Sequence, residues 1–486
     1  MRLGTEPLMQ NNDQVGDCRL LPHDQTTTPR RDDIMKDKLN DNIPDRRGRF
    51  ANNYFDGLPV RGVHRLLFFL IMAAYFFEQF DNWNFGFIAP SLTHSWNLKP
   101  ADIATILFWY FIGMTSGGFL GGVVSDFIGR RKTFLISIVI FSISSIITGY
   151  TDNFVVFTLF RALTGFGVFC MMVTSQAYIA EMAPCESRGM WQGRVAAIGF
   201  CAVPVVALIC RLVIPMDPEA WRWIFYAGGF GLIAFILGLK YLKESPRWLV
   251  SHGRVQEAEE IVRYLTGKDI DLSDAAKLVQ PKISVMEVLT GMFTKKYIGR
   301  TLLLMLIFVC ITPAGFLLTT WTTQLLNMFG FTVHETLTAM TVISIGVPFG
   351  CFINSLVSDK GGRKTPMIVL MLLAAIFAFT FGNMKSLVLL TVAGFIITSV
   401  NMALSFSLFS YTAESYPTRM RNTATGFHNG LARLSVSASQ PLIPLIYHAF
   451  GFMGVFTSVA ILFFLPMIPL ILWGRRTSGK SLEEIE

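Results

Sequence analysis

The sequence predicts an all-α membrane protein with twelve transmembrane helices arranged as two six-helix, pseudo-repeated bundles. Hydrophobic residues make up 52% of the chain and charged residues only 15%, whereas a soluble domain carries about 25% charged residues. Apolar stretches recur at lengths that cross a hydrocarbon core of ~30 Å. In addition, the two halves share residue types at one constant spacing, which indicates a duplicated plan.

The apolar stretches define twelve spans and five segments. The spans are predicted at 66–92, 103–124, 133–150, 154–178, 190–214, 221–242, 299–324, 334–357, 365–383, 386–412, 422–447 and 450–473. The segments are a disordered cytoplasmic tail over 1–60, an N-terminal bundle over 61–242, cytoplasmic linker helices over 243–298, a C-terminal bundle over 299–473 and a cytoplasmic tail over 474–486. The tail is polar and charged, which favours disorder.

The formal net charge of +8 reflects membrane topology more than nucleic-acid binding. Lys and Arg cluster in the tails, in the linker and in every second loop, which is the positive-inside pattern and places both termini in the cytoplasm.

No two of the seven Cys residues form a Cys-x-x-Cys motif, so we expect neither disulfides nor a metal site. The sequence of residues 474–481 fits the P-loop pattern, but we expect no strand before these residues and no helix after them, as a P-loop requires. We therefore expect no nucleic acid, no cofactor and no enzymatic activity.

The repeat joins eight residue pairs that are each 233 positions apart. They are Asp126/Asp359, Gly129/Gly362, Arg130/Arg363, Tyr178/Tyr411, Glu181/Glu414, Pro184/Pro417, Arg188/Arg421 and Gly193/Gly426. In a membrane protein of this length, paired halves indicate a transporter with its site between them.

Several of these residues are candidates for gating. The predicted gating residues are Asp126, Gly129, Arg130, Glu181 and Arg188 in the first half and Asp359, Arg363, Glu414 and Arg421 in the second. Glycine permits a tight turn and the basic residues stay cytoplasmic. The motifs are either a latch that opens as the halves move or a plain topological anchor, and their duplication favours the latch.

Charged residues inside the spans are candidates for proton coupling. Glu78 and Asp81 are three residues apart on one helix face of the first span, and buried acids in a membrane are functional candidates by default. Helix rise places Asp81 and Arg161 of the fourth span at similar depth. The sequence therefore predicts a switchable Asp81–Arg161 pair, or alternatively a permanent structural one.

Arg433 in the eleventh span is the candidate substrate anchor. Arginine stays charged and holds carboxylates in a bidentate fork, although a stabilising pair between Arg433 and Glu78 is the alternative. The position that matches Arg433 in the first half is Phe200, so the charge is not duplicated. Further candidate substrate contacts are Trp321, Gln324, Asn401 and Asn429, with Thr319, Thr320 and Ser405 near them. These polar residues are alternatively helix-packing residues.

Together these motifs resemble the major facilitator superfamily over about residues 60–485. The resemblance is carried by the loop motif 122–132, Glu181-x-x-Pro184-x-x-x-Arg188-Gly189, Trp221-Arg222-Trp223, Glu244-Ser-Pro-Arg-Trp-Leu249 and Ser481-Leu-Glu-Glu484. These are similar to the sugar-porter and organic-ion branch, and residues 411–421 are similar to bacterial metabolite:proton symporters, including nicotinate and aromatic-acid carriers. Ser355 departs from the usual Gly of the second loop motif. The short loop 93–102 favours a bacterial-type protein of the inner membrane.

The resemblance implies a secondary transporter that works by alternating access. We expect proton-coupled uptake of a small organic anion, an aromatic or heteroaromatic carboxylate, by a monomer in the lipid bilayer. Glu78 and Asp81 would exchange protons, Arg161 would tune Asp81 and Arg433 would hold the substrate. A sugar or polyol porter, a proton-driven exporter and a non-transporting receptor that signals through its tail are the alternatives.

Overall fold

The computed structural model describes residues 54–55, 60, 62–273, 285–357 and 363–474. The first half contains the helices Gly62–Trp96, Pro100–Ile128, Arg130–Tyr150, Phe154–Met182, Cys185–Phe200 with Ala202–Val213, and Trp221–Gly228 with Gly231–Tyr241. The second half contains Ile298–Thr320 with Thr322–Phe329, Val333–Val357, Lys364–Asn383, Leu387–Glu414, Thr418–Ser439, and Leu442–Phe464 with Met467–Trp473. The linker between them contributes Pro246–Ser251, Val255–Thr266 and Val285–Met292.

These helices form the twelve predicted spans. Within the described residues, eleven helical stretches are long and apolar enough to cross a membrane, and Thr418–Ser439, which carries Arg421 and Arg433, is not among them. Gly451 has non-helical backbone angles, φ +64° and ψ −165°, inside the helix Leu442–Phe464. It lies beside the predicted boundary between the last two spans, so residues before it extend the eleventh span and residues after it begin the twelfth. The fold-class prediction is confirmed.

The two halves use the same glycine pairs to bring helices together. A Cβ on Gly113 or Gly117 of the second span would lie 2.0 or 2.2 Å from backbone carbonyl oxygens of the fourth span. Their matches 233 residues later, Gly346 and Gly350, approach carbonyl oxygens of the tenth span at 2.7 and 2.3 Å. Small residues at such crossings allow close helix packing in membranes. The duplicated sequence therefore produces a duplicated helix crossing.

The halves pack against each other at one face of the bundle. We call the face where the first span begins the proximal face, and the face where it ends the distal face. Near the distal face, a Cβ on Gly86 would lie 2.8 Å from the carbonyl oxygen of Thr319. Ser437 of the eleventh span donates a hydrogen bond of 2.9 Å to the carbonyl oxygen of Phe108 in the second span. The distal ends of the halves are therefore in direct contact.

Part of the predicted tail is packed onto the first bundle. Phe55 is fully buried, and its ring centroid is 4.9 Å from that of His64 in the first span. His64 in turn contacts the carbonyl oxygen of Met182 at 2.8 Å. The chain just before the first span is thus held at the proximal face. Residues 1–53 and 475–486, which contain most of both predicted tails, lie outside the described residues.

Candidate functional site

The structure brings Asp81 and Arg161 together inside the first bundle. Both side chains are almost fully buried, and Arg161 Nη1 is 3.3 Å from Asp81 Oδ1. The same carboxylate oxygen accepts hydrogen bonds from Asn84 Nδ2 at 2.6 Å and Ser145 Oγ at 3.1 Å. A buried charge needs such partners because desolvation is costly. The predicted contact between Asp81 and Arg161 is confirmed, while its switching role stays a prediction.

Aromatic rings complete the surroundings of Arg161. Its guanidinium carbon lies 4.6 Å from the ring centroid of Tyr110, 5.3 Å from Phe225 and 5.6 Å from Phe85. Cation–π attraction to these rings offsets part of the burial cost. Within the described chain, Arg161 Nε and Nη2 and Asp81 Oδ2 are buried without hydrogen-bond partners. The pair is therefore joined by one bond instead of a bidentate fork.

Glu78 occupies a separate hydrogen-bonded chain on the same helix. Its Oε2 accepts a hydrogen bond from Gln79 Nε2 at 3.0 Å, and Gln79 Oε1 accepts one from Trp83 Nε1 at 2.8 Å. The other carboxylate oxygen of Glu78 is buried, and the described residues give it no partner. Sequence reasoning missed Gln79 and Trp83. The spacing of four residues between them, one helical turn, was the available signal.

Arg433 lies between aromatic rings that belong to different halves. Its guanidinium carbon is 4.7 Å from the ring centroid of Phe169 in the fourth span and 4.6 Å from that of Phe316 in the seventh. Trp83 of the first span stacks on Phe316, with ring centroids 5.8 Å apart and planes 3° apart. These contacts place Arg433 where the first, fourth, seventh and eleventh spans meet.

The charge of Arg433 is not matched by a direct ion pair within the described residues. Its Nη1 is buried without a hydrogen-bond partner there, and it interacts with Glu78 electrostatically at longer range. The alternative of a direct Arg433–Glu78 ion pair is therefore wrong for this conformation. A partly buried arginine with a buried, unused donor is suited to bind an anion.

The other predicted substrate contacts differ in how far their polar groups are already used. Trp321 is fully buried and donates to Gln440 Oε1 at 2.8 Å, and Asn429 donates to the carbonyl oxygen of Thr425 at 3.1 Å. Gln324 Oε1 is 3.5 Å from Thr93 Oγ1 across the two halves. Asn401 packs on Gly315, and its Oδ1 has no partner in the part of the chain that is described. Thr319, Thr320 and Ser405 bond to carbonyl groups of their own helices. Of the four predicted contacts Trp321, Gln324, Asn401 and Asn429, Asn401 therefore has a buried acceptor that the described residues leave unused.

At the proximal face, the described residues of each half form an ion pair at matched positions. Arg130 Nη2 is 3.1 Å from Glu181 Oε1, and Arg363 Nε is 2.9 Å from Glu414 Oε1. Arg130 also pairs with Asp126 on the preceding helix. Asp359, the match of Asp126, lies outside the described residues. Arg188 and Arg421 lie in the first turns of the fifth and eleventh spans.

A second matched pair of cations caps the last span of each half. Arg131 Nη2 donates to the carbonyl oxygen of Leu239 at 2.7 Å, near the end of the sixth span. Its match, Lys364, donates to the carbonyl oxygens of Ile471 and Gly474 at 2.9 and 2.8 Å, at the end of the twelfth. Cations stabilise helix carboxyl ends through their unpaired carbonyl groups and the helix dipole.

Gly129 is fixed by the segment that follows the sixth span. Glu244 Oε1 accepts hydrogen bonds from the backbone N–H groups of Arg131 and Ser245, both at 3.0 Å. Gly129 has φ +104°, and a Cβ there would lie 2.3 Å from Glu244 Oε2. Trp248 Nε1 donates to the carbonyl oxygen of Asp126 at 2.8 Å. The predicted gating loop is therefore seated on residues 244–248.

Comparisons with known proteins agree with this architecture. The Major Facilitator Superfamily family model matches residues 71–440. The metabolite transport protein YyaJ of Bacillus subtilis is 30% identical over 437 residues, covering 89% of this chain and 97% of its own. The niacin transporter NiaP of Acinetobacter baylyi is 25% identical over 437 residues, covering 88% and 98%.

A solved structure shows the same fold. The partially occluded inward open conformation of the xylose transporter XylE from E. coli has a TM-score of 0.71 at 17% identity, covering 86% of this chain and 99% of its own. The relatives are transporters, and the matched family model spans both helical bundles. The chain therefore belongs to the Major Facilitator Superfamily, as a transporter of metabolites and not as an enzyme.

Proposed function

We propose that this chain imports a small organic anion, an aromatic or heteroaromatic carboxylate, together with protons. The observation that carries the proposal is Arg433, a guanidinium held between rings of both halves with a buried donor that the described residues leave unused. A carboxylate would supply the missing acceptor. A flat ring attached to it would fit beside Phe169 and Phe316, because aromatic rings pack favourably on one another.

Arginine at this place discriminates between substrate classes. It cannot be neutralised at physiological pH, so in a carrier of a neutral sugar it would remain a partly buried charge without a counter-charge during binding. Ring faces alone offset part of that cost. Niacin transporters are among the relatives, which supports an aromatic carboxylate over a polyol.

The proton pathway uses the acids of the first span. Asp81 has one oxygen saturated with donors and one without a described partner, so a proton has a vacant oxygen to occupy. Protonation would cancel the attraction to Arg161 across their single bond. Glu78 is also a buried acid: one of its oxygens accepts a hydrogen bond from Gln79, and the other has no described partner. Related structures include a D-xylose-proton symporter, which supports proton coupling in a fold of this kind.

The duplicated ion pairs of the proximal face brace the helices of each half in this proposal. The positive-inside pattern assigns that face to the cytoplasm and the packed distal ends to the outside. Arg130–Glu181 and Arg363–Glu414 each join neighbouring helices within one half. They would keep each half rigid while the halves move relative to each other.

Transport in liposomes tests the proposal directly. Purified protein is reconstituted with a pH-sensitive dye in the lumen, and nicotinate, other aromatic acids, polyols and sugars are added outside. We expect an aromatic acid to acidify the lumen beyond the rate in protein-free liposomes, and Asp81→Asn to abolish this while exchange of labelled substrate continues. Substrate uptake without proton movement would contradict proton coupling.

Substitution of Arg433 tests the substrate class. Arg433→Ala should weaken binding of the transported acid about 30-fold or more, because truncating one partner of a desolvated charge pair costs about 2 kcal/mol or more. Arg433→Lys keeps the charge but loses the fork, and should lie between wild type and Arg433→Ala. A sugar or polyol that binds wild type and Arg433→Ala equally well would support the alternative porter.

A further inference from the structure

Gln79 is held between an acid and an indole by both ends of its amide. Its Nε2 donates to Glu78 Oε2 at 3.0 Å, and its Oε1 accepts from Trp83 Nε1 at 2.8 Å. Glu78, Gln79 and Trp83 are all buried. Neither assigned role of the site, proton exchange or anion binding, uses this amide.

The chemistry of the indole determines which way the amide points. An indole nitrogen only donates hydrogen bonds, so the oxygen of Gln79 must face Trp83. The NH₂ group must then face Glu78, and the facing oxygen of Glu78 must accept. The hydrogen bonds at both ends of Gln79 therefore depend on each other.

We infer that Gln79 is a positioning residue that transmits protonation of Glu78 to Trp83, an inference that rests on the proposed function. When the Glu78 carboxylate binds a proton, it becomes a hydrogen-bond donor. A proton on Oε1 would form a buried O–H group that has no acceptor among the described residues. A proton on Oε2 instead faces Gln79, the hydrogen-bond partner that the described residues give Glu78, and the amide oxygen can accept it after a half-turn of the amide. The NH₂ group then faces the Trp83 N–H, two donors meet, and the Trp83 bond is lost. No covalent bond changes other than the O–H bond formed on Glu78.

The consequence reaches the anion anchor through stacked rings. Trp83 lies parallel to Phe316 of the second half, and Phe316 covers the guanidinium of Arg433. A Trp83 ring released by Gln79 would loosen a contact between the two halves beside the substrate site.

The groups that act on Glu78 come from three spans. Asp81 and Tyr75 lie on its own helix, Tyr110 on the second span and Arg433 on the eleventh. Of these, Arg433 is a fixed cation, so the charge of Glu78 is also felt at the anchor. The amide relay through Gln79 adds a geometric connection to this electrostatic one.

Tryptophan fluorescence of the purified protein tests the relay without any substrate. The chain has nine Trp, so the signal of Trp83 is isolated as the difference between wild type and Trp83→Phe across a pH titration. We expect a pH-dependent component in wild type that is lost in Glu78→Gln, whose charge is fixed, and in Gln79→Met, which keeps the length but neither hydrogen bond. A component unchanged in Gln79→Met would overturn the relay.

Transport separates failure of the relay from failure of proton coupling. A pH gradient of one unit should drive about tenfold accumulation of labelled nicotinate for one proton per substrate, since about 1.4 kcal/mol corresponds to a factor of ten. Gln79→Met should keep exchange of labelled nicotinate within about threefold while accumulation falls to about one. Wild type that accumulates neither nicotinate nor any other aromatic acid of the panel would overturn the proposed function.

Trp83→Phe covers the case in which Gln79→Met does not fold. It keeps a ring against Phe316 and removes only the N–H. Accumulation by Trp83→Phe equal to that of wild type would overturn the relay, and accumulation reduced to about one with exchange preserved would support it.

Discussion

The proximal face and the core of this transporter differ in whether their charged residues are duplicated between the two halves. At the proximal face, each half repeats the same devices at the same positions: an ion pair, Arg130–Glu181 or Arg363–Glu414, and a basic residue that caps the last span. In the core, the charged residues occur once. The positions that match Glu78, Asp81 and Arg161 are Ile311, Ala314 and Gly394, and the match of Arg433 is Phe200.

We interpret the duplicated residues of the proximal face as serving conformational change, and the unduplicated charged residues of the core as serving binding. Two halves that rock about a common site need equivalent helix crossings and equivalent gates, so duplication is retained there. A substrate and a proton have no such symmetry, and a second set of buried charges would cost several kcal/mol per ion without a partner. The asymmetric residues are therefore the ones to test for chemistry, and the symmetric ones for conformational change.

The largest expected effect comes from breaking the unduplicated pair. Asp81→Ala leaves Arg161 buried and permanently charged, so the free energy of unfolding should fall by about 3–5 kcal/mol. Arg161→Ala should cost less, because Asp81 can take up a proton and become neutral. Thermal unfolding in detergent measures both variants. The position that matches Asp81 in the second half, Ala314, is alanine. An alanine at this place in the helix is therefore compatible with the fold of that half. Equal destabilisation by the two variants would contradict the assignment of Asp81 as the group that changes charge.

A smaller effect is expected from the loop at the proximal face. Gly129→Ala places a Cβ 2.3 Å from Glu244 Oε2 at φ +104°, and should lower the free energy of unfolding by about 1–3 kcal/mol through backbone strain and the clash. Gly253→Ala is the matched control, because Gly253 also has a positive φ, +76°, but a Cβ there meets nothing within 4 Å. Thermal unfolding of both variants isolates the contribution of Glu244. Equal losses would show that strain alone is responsible.

The smallest effect is expected from the two duplicated ion pairs. Glu181→Gln removes an acid whose arginine is also paired with Asp126, and Glu414→Gln removes its match in the second half. We expect each to change the exchange rate by about two- to tenfold, corresponding to roughly 1 kcal/mol for a partly exposed pair. Substrate exchange in liposomes, combined with binding affinity, checks this. A change in affinity of the same size would contradict a role in gating alone.

Much of the fold followed from the sequence, because hydropathy, basic loops and the constant offset each constrain it independently. The twelve spans and the contact between Asp81 and Arg161 were predictable from length and helix rise. The eleventh span was the hardest to delimit. Arg421 and Arg433 reduce its hydropathy, and Gly451, which separates it from the twelfth span, is hidden in an apolar run.

The details of the site were less predictable, because they depend on contacts between distant spans. Nothing in the spacing of Phe169, Phe316 and Arg433 reveals that both rings cover one guanidinium. The hydrogen bonds of Gln79 were not predicted, because the sequence pattern around a polar amide beside two acids does not indicate its partners. Trp321 looked available for substrate, but its indole N–H is bonded to Gln440, a partner more than a hundred residues away in the chain.

The low hydropathy of the helix Thr418–Ser439 also bears on biosynthesis. An arginine near the centre of a span opposes insertion by about 2.5–3.5 kcal/mol. The helical stretch Leu442–Trp473, which contains the end of the eleventh span and the whole twelfth, includes an 18-residue segment with a mean hydropathy of 2.5, among the highest in the described chain. The eleventh span should therefore enter the bilayer as a hairpin with the twelfth. Membrane insertion of Arg433, the proposed substrate anchor, would then depend on the neighbouring span.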